Sequence, residues 1–418
     1  MKNKSSLTFF GITLVLLLVA QPAFVNANAL PDVVENKGKK IQGQYIVVLT
    51  DDADLQLEIG KAKLKGADVL DFYEHSIKGF AVKVANDKAV DNIKKNNPFV
   101  AYIEPDYVVE TFVQTLPPGI NRIDVDLSST ASGNGAGSVS VDIAIIDTGI
   151  NLTHPDLNVY KQKTFVKRTT SANDDNGHGT HVAGIAAAKD DSNGVVGVAP
   201  GARLWAVKVL DKHGSGSISN VIKGIDYVTA NKAEIDVANM SLGCECFSSS
   251  LNLAISNSVA AGVTYVVAAG NSARDAQTFS PANHPSVIAV SAIVDTDGKC
   301  GGLGLPTSYG SDDTFASFSN RGAVVDMAAP GVKIFSTYKS GTYATLSGTS
   351  MASPHVAGAA GLYKASNPGA SPAQVQGALT TLGVLQTTVC DTTLNNGNGG
   401  FTGDPDAFHE PLVYTALL

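Results

Sequence analysis

Ser350 lies where a nucleophile of acyl transfer would be expected. Gly348 allows a tight turn before it, and the Ala- and Gly-rich segment Met351–Lys364 after it predicts a helix. A serine at a helix start places its own N–H among unpaired main-chain donors with a favourable dipole, and such donors stabilise a tetrahedral oxyanion. Taken alone, however, this position predicts a helix N-cap rather than a nucleophile, because serine caps helices well.

Two further residues could supply the groups that such a serine needs. His178 lies between glycines in Asn176–Gly184, at the entry to a second Gly- and Ala-rich helix. Asp147 ends an apolar strand and precedes a Thr-Gly turn, and open α/β sheets place their sites at the carboxyl ends of strands. A lone Asp-Thr-Gly also suggests an aspartic protease, but the chain has no second copy. Together these residues predict an orienting carboxylate, a base and a nucleophile.

The chain order Asp, His, Ser distinguishes between the known serine hydrolases. The α/β-hydrolases follow the order Ser, Asp, His with Gly-x-Ser-x-Gly, whereas position 352 is Ala here, and chymotrypsin-like enzymes follow His, Asp, Ser. The region from Thr115 to the C-terminus resembles the catalytic domain of the subtilisin family, the subtilases. The motifs that carry the resemblance are Asp147-Thr148-Gly149, His178-Gly179-Thr180-His181 and Gly348-Thr349-Ser350-Met351-Ala352-Ser353-Pro354.

The resemblance implies roles for other residues. Asn271, in Val266–Ser272, would donate its side-chain amide to the oxyanion. Two strands would hold an extended peptide by main-chain bonds, with Gly214, Ser215 and Gly216 in one and Ser241, Leu242 and Gly243 in the other. The pocket for the residue before the cut would be lined by Ala268, Ala269, Gly270 and Phe279. None of the four carries a charge, so we expect a large apolar or aromatic residue there, although Phe279 could equally belong to the core.

A structural calcium site is also implied. The segment Lys189–Val195 interrupts the helix that begins at His178, and the spacing up to Pro200 matches subtilisins that carry a calcium loop. Carboxylate and carbonyl oxygens suit Ca²⁺, and the implied ligands are Asp156, Lys189, Asp191, Asn193 and Val195. A solvated acidic turn is the alternative. A second site, from carbonyls near 285–287 and the Asp326 carboxylate, is a further expectation, and no catalytic metal or organic cofactor is expected.

Composition divides the chain into three parts. Lys2 and Lys4 precede the apolar run Leu7–Ala20, which is typical of a signal peptide and too short for a membrane span. We therefore expect residues 1–27 to be removed on secretion. In residues 28–114, 25 of 87 residues are charged, against 41 of 304 afterwards. This small region predicts an α+β domain and resembles the subtilase propeptide, which acts as an intramolecular chaperone and inhibitor and is cut away by the enzyme itself.

The element patterns predict the fold class. In the small region we expect strands at 44–49 and 79–84 and from 101 onward, with helices at 54–65 and 87–95. Residues 115–418 alternate buried strands (139–146, 203–209, 237–241, 263–269 and 287–293) with Ala-rich helices (178–188 and 350–366). This pattern predicts an α/β domain, a parallel sheet with helices on both faces. The junction Thr111–Gly119, which contains Pro117-Pro118-Gly119, predicts an exposed, extended loop where cleavage could occur.

The four cysteines, Cys244, Cys246, Cys300 and Cys390, suggest two disulfides in an exported chain. Cys244 and Cys246 are too close in sequence to pair comfortably, so each is expected to have a distant partner. A metal site is a weaker alternative, because C-x-C lacks the C-x₂-C spacing usual for zinc.

The net charge of −8 gives no basic footprint for nucleic acid, and no later apolar run reaches membrane-spanning length. The sequence therefore predicts a secreted, monomeric serine endopeptidase made as a self-processed zymogen that acts on polypeptides. The alternative is a non-catalytic peptide-binding protein on the same scaffold.

Overall fold

The computed structural model describes residues 40–107, 114–391 and 398–418. The predicted signal peptide lies outside these described residues. The chain divides into two compact units between residues 111 and 112, and the cleavage expected near residue 114 stays a prediction. Within the described ranges, no helix combines the length and the apolar character needed to cross a membrane.

The smaller unit is an antiparallel four-stranded sheet with two helices. Its elements are β1 (Lys40–Leu49), α1 (Leu55–Leu64), β2 (Asp68–Tyr73), β3 (Gly79–Lys83), α2 (Asp87–Lys94) and β4 (Val100–Tyr107). The sheet order is β2-β3-β1-β4. Side-chain oxygens of Asp54 and Asn86 cap the two helices by accepting N–H groups at 3.1 and 3.2 Å. The predicted elements are present, but strand β2 was missed because most of its side chains are exposed.

The larger unit contains the remaining elements. Its helices are α3 (Pro118–Arg122), α4 (His178–Ala187), α5 (Ile218–Ala230), α6 (Ser249–Ala260), α7 (Thr349–Ser366) and α8 (Pro372–Leu382). Its strands are β5 (Asp142–Asp147), β6 (Val159–Thr164), β7 (Arg203–Lys208), β8 (Val237–Met240), β9 (Cys244–Glu245), β10 (Thr264–Ala268), β11 (Phe279–Ser280), β12 (Ile288–Val294), β13 (Thr314–Phe315), β14 (Met327–Pro330), β15 (Ile334–Tyr338) and β16 (Thr342–Leu346). Short 3₁₀ turns occur at Val125–Leu127, Ala276–Thr278 and Lys339–Gly341.

The central sheet has the order β13-β12-β10-β8-β5-β7-β6, with β14 also beside β12. Its neighbouring strands run parallel except β12 and β13. Parallel neighbours need crossover connections, which place helices on the sheet faces. The predicted α/β class is confirmed.

Alternate residues of the central strands enter two separate cores. In β5, Ile143 and Ile145 pack with residues of α4 and α7, whereas Ala144 and Ile146 pack with residues of α5 and α6. This alternation is the period-2 geometry of a strand that is buried on both faces. It explains why the strand reads as a continuous apolar run that ends in Asp147.

The prediction of an extended loop at Thr111–Gly119 was wrong at residues 118 and 119, and residues 111–113 lie outside the described residues. Pro118 begins helix α3, where its missing N–H costs nothing because the first turn has no acceptor for it. Gly119 is buried, and a Cβ there would lie 2.8 Å from Nε2 of His355. The local sequence did not predict this close approach.

The expected distant partners for Cys244 and Cys246 were also wrong. The two disulfides are Cys244–Cys246 and Cys300–Cys390. Residues i and i+2 of an extended chain point to the same side, and the Cα atoms of Cys244 and Cys246 are 5.3 Å apart, within the ordinary disulfide range.

Candidate active site

Asp147 and His178 form a hydrogen-bonded pair at the carboxyl end of strand β5. Asp147 is fully buried, and its Oδ1 lies 2.8 Å from Nδ1 of His178 and accepts the Thr148 N–H at 2.7 Å. An ionised carboxylate only accepts hydrogen bonds, so Nδ1 carries the proton and Nε2 is left as the basic atom of the neutral ring. The sequence predicted both residues, and the structure brings them together.

The pKa of His178 is raised above its ordinary value. Burial opposes protonation and lowers the pKa, but the negative charge of Asp147, its hydrogen bond to the ring and the charge of Asp174 together outweigh burial. The pair therefore stabilises the imidazolium that forms when His178 takes up a proton.

Asp174 holds the segment that carries His178, and sequence reasoning missed it. The side chain is buried and accepts the hydroxyls of Thr148 and Thr180 at 2.9 and 2.6 Å. It also accepts three main-chain N–H groups at the start of α4, at 2.9 to 3.0 Å. The N-cap of α4 is Gly177, which has no side chain to cap with. An aspartate just before a predicted helix is a capping signal that could have indicated this role.

Ser350 is the second residue of α7, since the N-cap is Gly348 and the helix begins at Thr349. The expectation that Ser350 itself occupies the cap is corrected accordingly. Its hydroxyl donates to the main-chain carbonyl of Ser241 at 3.2 Å, and the Ser241 hydroxyl donates to the carbonyl of Ser350 at 2.8 Å. These reciprocal bonds join the start of α7 to the segment that follows strand β8.

Asn271 is anchored beside the same helix start. Its Oδ1 accepts the N–H and the hydroxyl of Thr349 at 2.8 and 2.9 Å. The amide oxygen is thus occupied, which leaves the NH₂ group as the free end of the side chain. Asn271 and Ser350 line the same cavity of about 230 Å³.

Two adjoining cavities contain the predicted substrate residues. The larger, of about 450 Å³, is lined by His178, residues 214–216 and residues 241–243. The smaller is the one beside Ser350, and Ala268, Ala269, Gly270 and Phe279 all line it. Leu242 and Gly243 line both cavities. Sequence reasoning missed one charged residue of the smaller cavity, Glu245, because β9 reaches it only through tertiary pairing.

The predicted calcium loop lies around a buried carboxylate. Asp156 is 2% exposed; its Oδ2 accepts the Val195 N–H at 2.9 Å and the Tyr343 hydroxyl at 3.3 Å. Its Oδ1 is buried without a hydrogen-bond partner. Burial, partly offset by the hydrogen bond from Val195, raises the pKa of Asp156 to about 7. Asp191 and Asn193 line a cavity of about 280 Å³ with it.

The main chain around Asp156 positions the other predicted ligands. Lys189 N–H donates to the carbonyl of Asp156 at 3.0 Å, and the Lys189 ammonium donates to Pro155 O at 2.7 Å. Gln114, which sequence reasoning missed, donates its side-chain amide to Lys189 O at 2.9 Å and its N–H to Ser192 O at 3.1 Å.

Two other acidic positions differ from this loop. Asp326, predicted for a second calcium site, has both oxygens bonded within the chain, to Ala289 N–H and to the Gln376 amide, each at 2.8 Å. Burial raises its pKa to about 6. Separately, carboxylate oxygens of Asp295, Asp297 and Asp312 lie within 4.8 Å of one another, a grouping that the sequence did not predict.

A doubly covered parallel sheet with an Asp–His pair and a helix-borne serine at its carboxyl edge, in the chain order Asp, His, Ser, is typical of the subtilisin-like class of hydrolases. Comparison with known proteins agrees. The family model described as the subtilase family matches residues 139–399. The chain belongs to the subtilase family and is a serine endopeptidase of the subtilisin type.

Individual relatives show how far the similarity extends. Subtilisin E of Bacillus subtilis (strain 168) is 41% identical over 303 residues, which cover 72% of this chain and 74% of that relative. A thermophilic serine proteinase of Bacillus sp. (strain AK1) is 39% identical over 342 residues, 79% of this chain and 80% of the relative. A crystal structure of a cold adapted subtilisin-like serine proteinase matches with a TM-score of 0.56 and 34% identity, covering 72% of this chain and 98% of that one.

Proposed function

We propose that this chain is a secreted, self-processed endopeptidase in which Asp147, His178 and Ser350 cleave peptide bonds through an acyl-enzyme. The observation that carries the proposal is the 2.8 Å bond between Asp147 and Nδ1 of His178, which leaves Nε2 as a base in the cavity that leads to Ser241 and Ser350.

Acylation follows from these positions. The Ser350 side chain turns from the carbonyl of Ser241 to Nε2 of His178, which takes the hydroxyl proton while Oγ attacks the substrate carbonyl carbon. The oxyanion accepts hydrogen bonds from the N–H of Ser350 and the NH₂ group of Asn271. His178 then gives its proton to the departing amine as the C–N bond breaks. Water, deprotonated by His178, then attacks the ester carbonyl, and His178 returns that proton to Ser350 Oγ as the C–O bond breaks and the carboxylic acid product leaves.

The two cavities suit an extended peptide. Residues 214–216 and 241–243 both line the larger cavity, so a substrate strand that lies between the two segments would be bound through its main chain. The side chain before the cut enters the smaller cavity, whose walls include Ala268, Ala269 and Phe279. These apolar walls favour an apolar or aromatic side chain, with otherwise broad specificity.

Calcium fits the Asp156 loop. Subtilases generally bind structural calcium, and the unpartnered Oδ1 of buried Asp156 is an acceptor that the chain itself does not satisfy. We assign Asp156, Asp191 and Asn193 as side-chain ligands, with Lys189 and Val195 contributing main-chain groups. The bound ion supplies positive charge that neutralises these carboxylates and ties the loop to the sheet. Each oxygen of Asp326, the carboxylate of the second expected site, already accepts one hydrogen bond within the chain, so the Asp156 loop has the greater need for a cation.

Residues 1–27 are proposed to direct secretion and residues 28 to about 114 to act as the inhibitory propeptide, with the cut placed before Gln114 because Gln114 bonds to the calcium loop of the catalytic unit. The four-stranded unit supports this assignment, because it is compact by itself and precedes the catalytic unit. The mature enzyme is proposed to act as a monomer on polypeptides.

The test is Ser350→Ala. We expect peptide hydrolysis to fall about 10⁶-fold, the magnitude found for the corresponding residue of a subtilisin, and the precursor to remain uncut near residue 114. Ser366→Ala, an exposed serine at the far end of the same helix, is the matched control and should mature normally. Normal maturation of Ser350→Ala without added protease would contradict self-processing. Failure of the unaltered protein to react with a serine-directed organophosphate would support the non-catalytic alternative.

A further inference from the structure

The geometry points to Glu245 as a specificity-determining residue that lets the pocket beside Ser350 accept Lys or Arg before the cut. This inference rests on the proposed function and refines its apolar preference. Glu245 lines the cavity of about 230 Å³ that also contains Ser350, Asn271 and Phe279.

Glu245 reaches this cavity through strand pairing. Strand β9 pairs antiparallel with β11, so that Glu245 lies directly opposite Phe279 and Cys244 opposite Ser280. The Ser280 hydroxyl donates to the main-chain carbonyl of Cys246 at 2.9 Å, so the residue that follows strand β9 is also bonded to β11. Side chains opposite each other in such a pair are close neighbours. The cavity therefore has an aromatic wall with a carboxylate next to it.

A disulfide encloses Glu245 on both sides. Cys244 and Cys246 are joined to each other, so the main chain of the residue between them belongs to a small covalent ring. Such a ring reduces the backbone freedom that Glu245 would otherwise have on an exposed rim. The main chain of Glu245 is thus constrained beside the cavity, and only the side-chain torsions remain to place the carboxylate.

A carboxylate beside an aromatic wall suits a long cationic side chain of the substrate. Lys and Arg pack their methylene groups against apolar surface while the charged group stays in a polar environment. Phe279 is 9% exposed and provides the apolar surface, whereas the Glu245 side chain is 53% exposed and remains in contact with solvent. An Asp or Glu of the substrate would instead meet a like charge.

Arg274 weakens the attraction between Glu245 and a Lys or Arg of the substrate. Its guanidinium bonds to Glu245 at 2.6 Å, but the two side chains are 60% and 53% exposed. Exposed ion pairs of this kind are weak and exchange readily. An incoming Lys or Arg can therefore take the place of Arg274 at the carboxylate, and Arg274 reduces the preference without abolishing it.

The test compares two peptide substrates that differ only in the residue that precedes the cleaved bond. One has Lys there, and the other has Met, which is similar in length and uncharged. In Glu245→Gln we expect the Lys-to-Met ratio of kcat/KM to fall about two- to fivefold, the range for an exposed ion pair. In Arg274→Gln the ratio should rise about twofold, because the carboxylate loses a competitor.

Glu234→Gln is the matched control, since Glu234 also forms an exposed ion pair, with Lys161, and lines neither cavity. Its ratio should equal that of the unaltered enzyme, and thermal melts check that all variants are folded. An unchanged ratio in folded Glu245→Gln would overturn the inference. If the unaltered enzyme cleaves neither substrate, the proposed function is contradicted instead. Failure of the inference and failure of the proposed function are therefore distinguishable.

Discussion

Carboxylates are buried both at the sheet edge, at Asp147, and in the loop, at Asp156, but the two side chains have different hydrogen-bond partners. At the sheet edge, Oδ1 of Asp147 bonds to the His178 ring and to Thr148, while its Oδ2 has no hydrogen-bond partner among the described residues; nearby Asp174 accepts five hydrogen bonds from the chain. In the loop, Asp156 also keeps one oxygen without such a partner, but its other oxygen bonds only to a main-chain N–H and a phenol hydroxyl, and burial raises its pKa to about 7.

The Asp147 carboxylate thus has a bonded partner within the chain that can carry positive charge, His178, whereas the Asp156 carboxylate bonds to no such group in the described part of the chain and could be neutralised by an added cation. A buried carboxylate without compensation is costly, so it either takes up a proton or binds a positive charge. Catalysis should therefore depend on partners within the chain, and stability should depend on calcium. Three predictions test this division.

The largest effect is expected for Asp147→Asn. An amide can turn its NH₂ group toward Nδ1 and stabilise the wrong tautomer of His178, so kcat should fall about 10⁴-fold, the magnitude known for the same Asp-to-Asn change in a chymotrypsin-like triad and close to that for loss of the aspartate in a subtilisin. Steady-state kinetics on a peptide substrate measure it. Asp126→Asn, at an exposed position, is the control. Retention of a tenth of the activity by Asp147→Asn would contradict the assigned role.

A smaller effect is expected on removal of calcium. A chelator should lower Tm, with a loss of about 3 kcal/mol if the ion was present at roughly 100 times its Kd. At 25 °C, kcat/KM of the still-folded enzyme should change little, because the Asp147 region needs no ion.

Substitution of two buried aspartates tests which carboxylate binds the calcium. Asp156→Asn should abolish the response of Tm to the chelator, whereas Asp326→Asn should retain it, because both oxygens of Asp326 already bond within the chain. An equal response from the two variants would mean that the ion lies elsewhere, for example at Asp295, Asp297 and Asp312.

The smallest effect concerns pH. His178 must be neutral at Nε2 to act as the base, so kcat/KM should decrease as pH falls through its pKa. Because that pKa is raised, the midpoint should lie above the ordinary 6.5. Asp174→Asn removes one of the charges that raise it and should shift the midpoint down. A midpoint below 6.5 in the unaltered enzyme would show that burial outweighs the charge of Asp147. Calcium removal should leave the midpoint in place.

The amino-acid sequence alone determined the fold class and the types of reacting groups. Strands buried on both faces read as apolar runs, helices read as Ala- and Gly-rich segments, and the carboxyl edge of a parallel sheet gathers the residues that follow its strands. For this reason Asp147 and His178 were predictable as neighbours although 31 positions separate them.

Only the tertiary structure decided the contacts that depend on the path of loops. Asp174 acts through N–H groups whose direction follows from the turn before α4. Glu245 reaches the pocket because β9 pairs with β11, and Cys244 pairs with Cys246 because the chain there brings their Cα atoms to 5.3 Å. Such contacts have no period or composition to reveal them, since they depend on distances between segments that only the packed chain establishes.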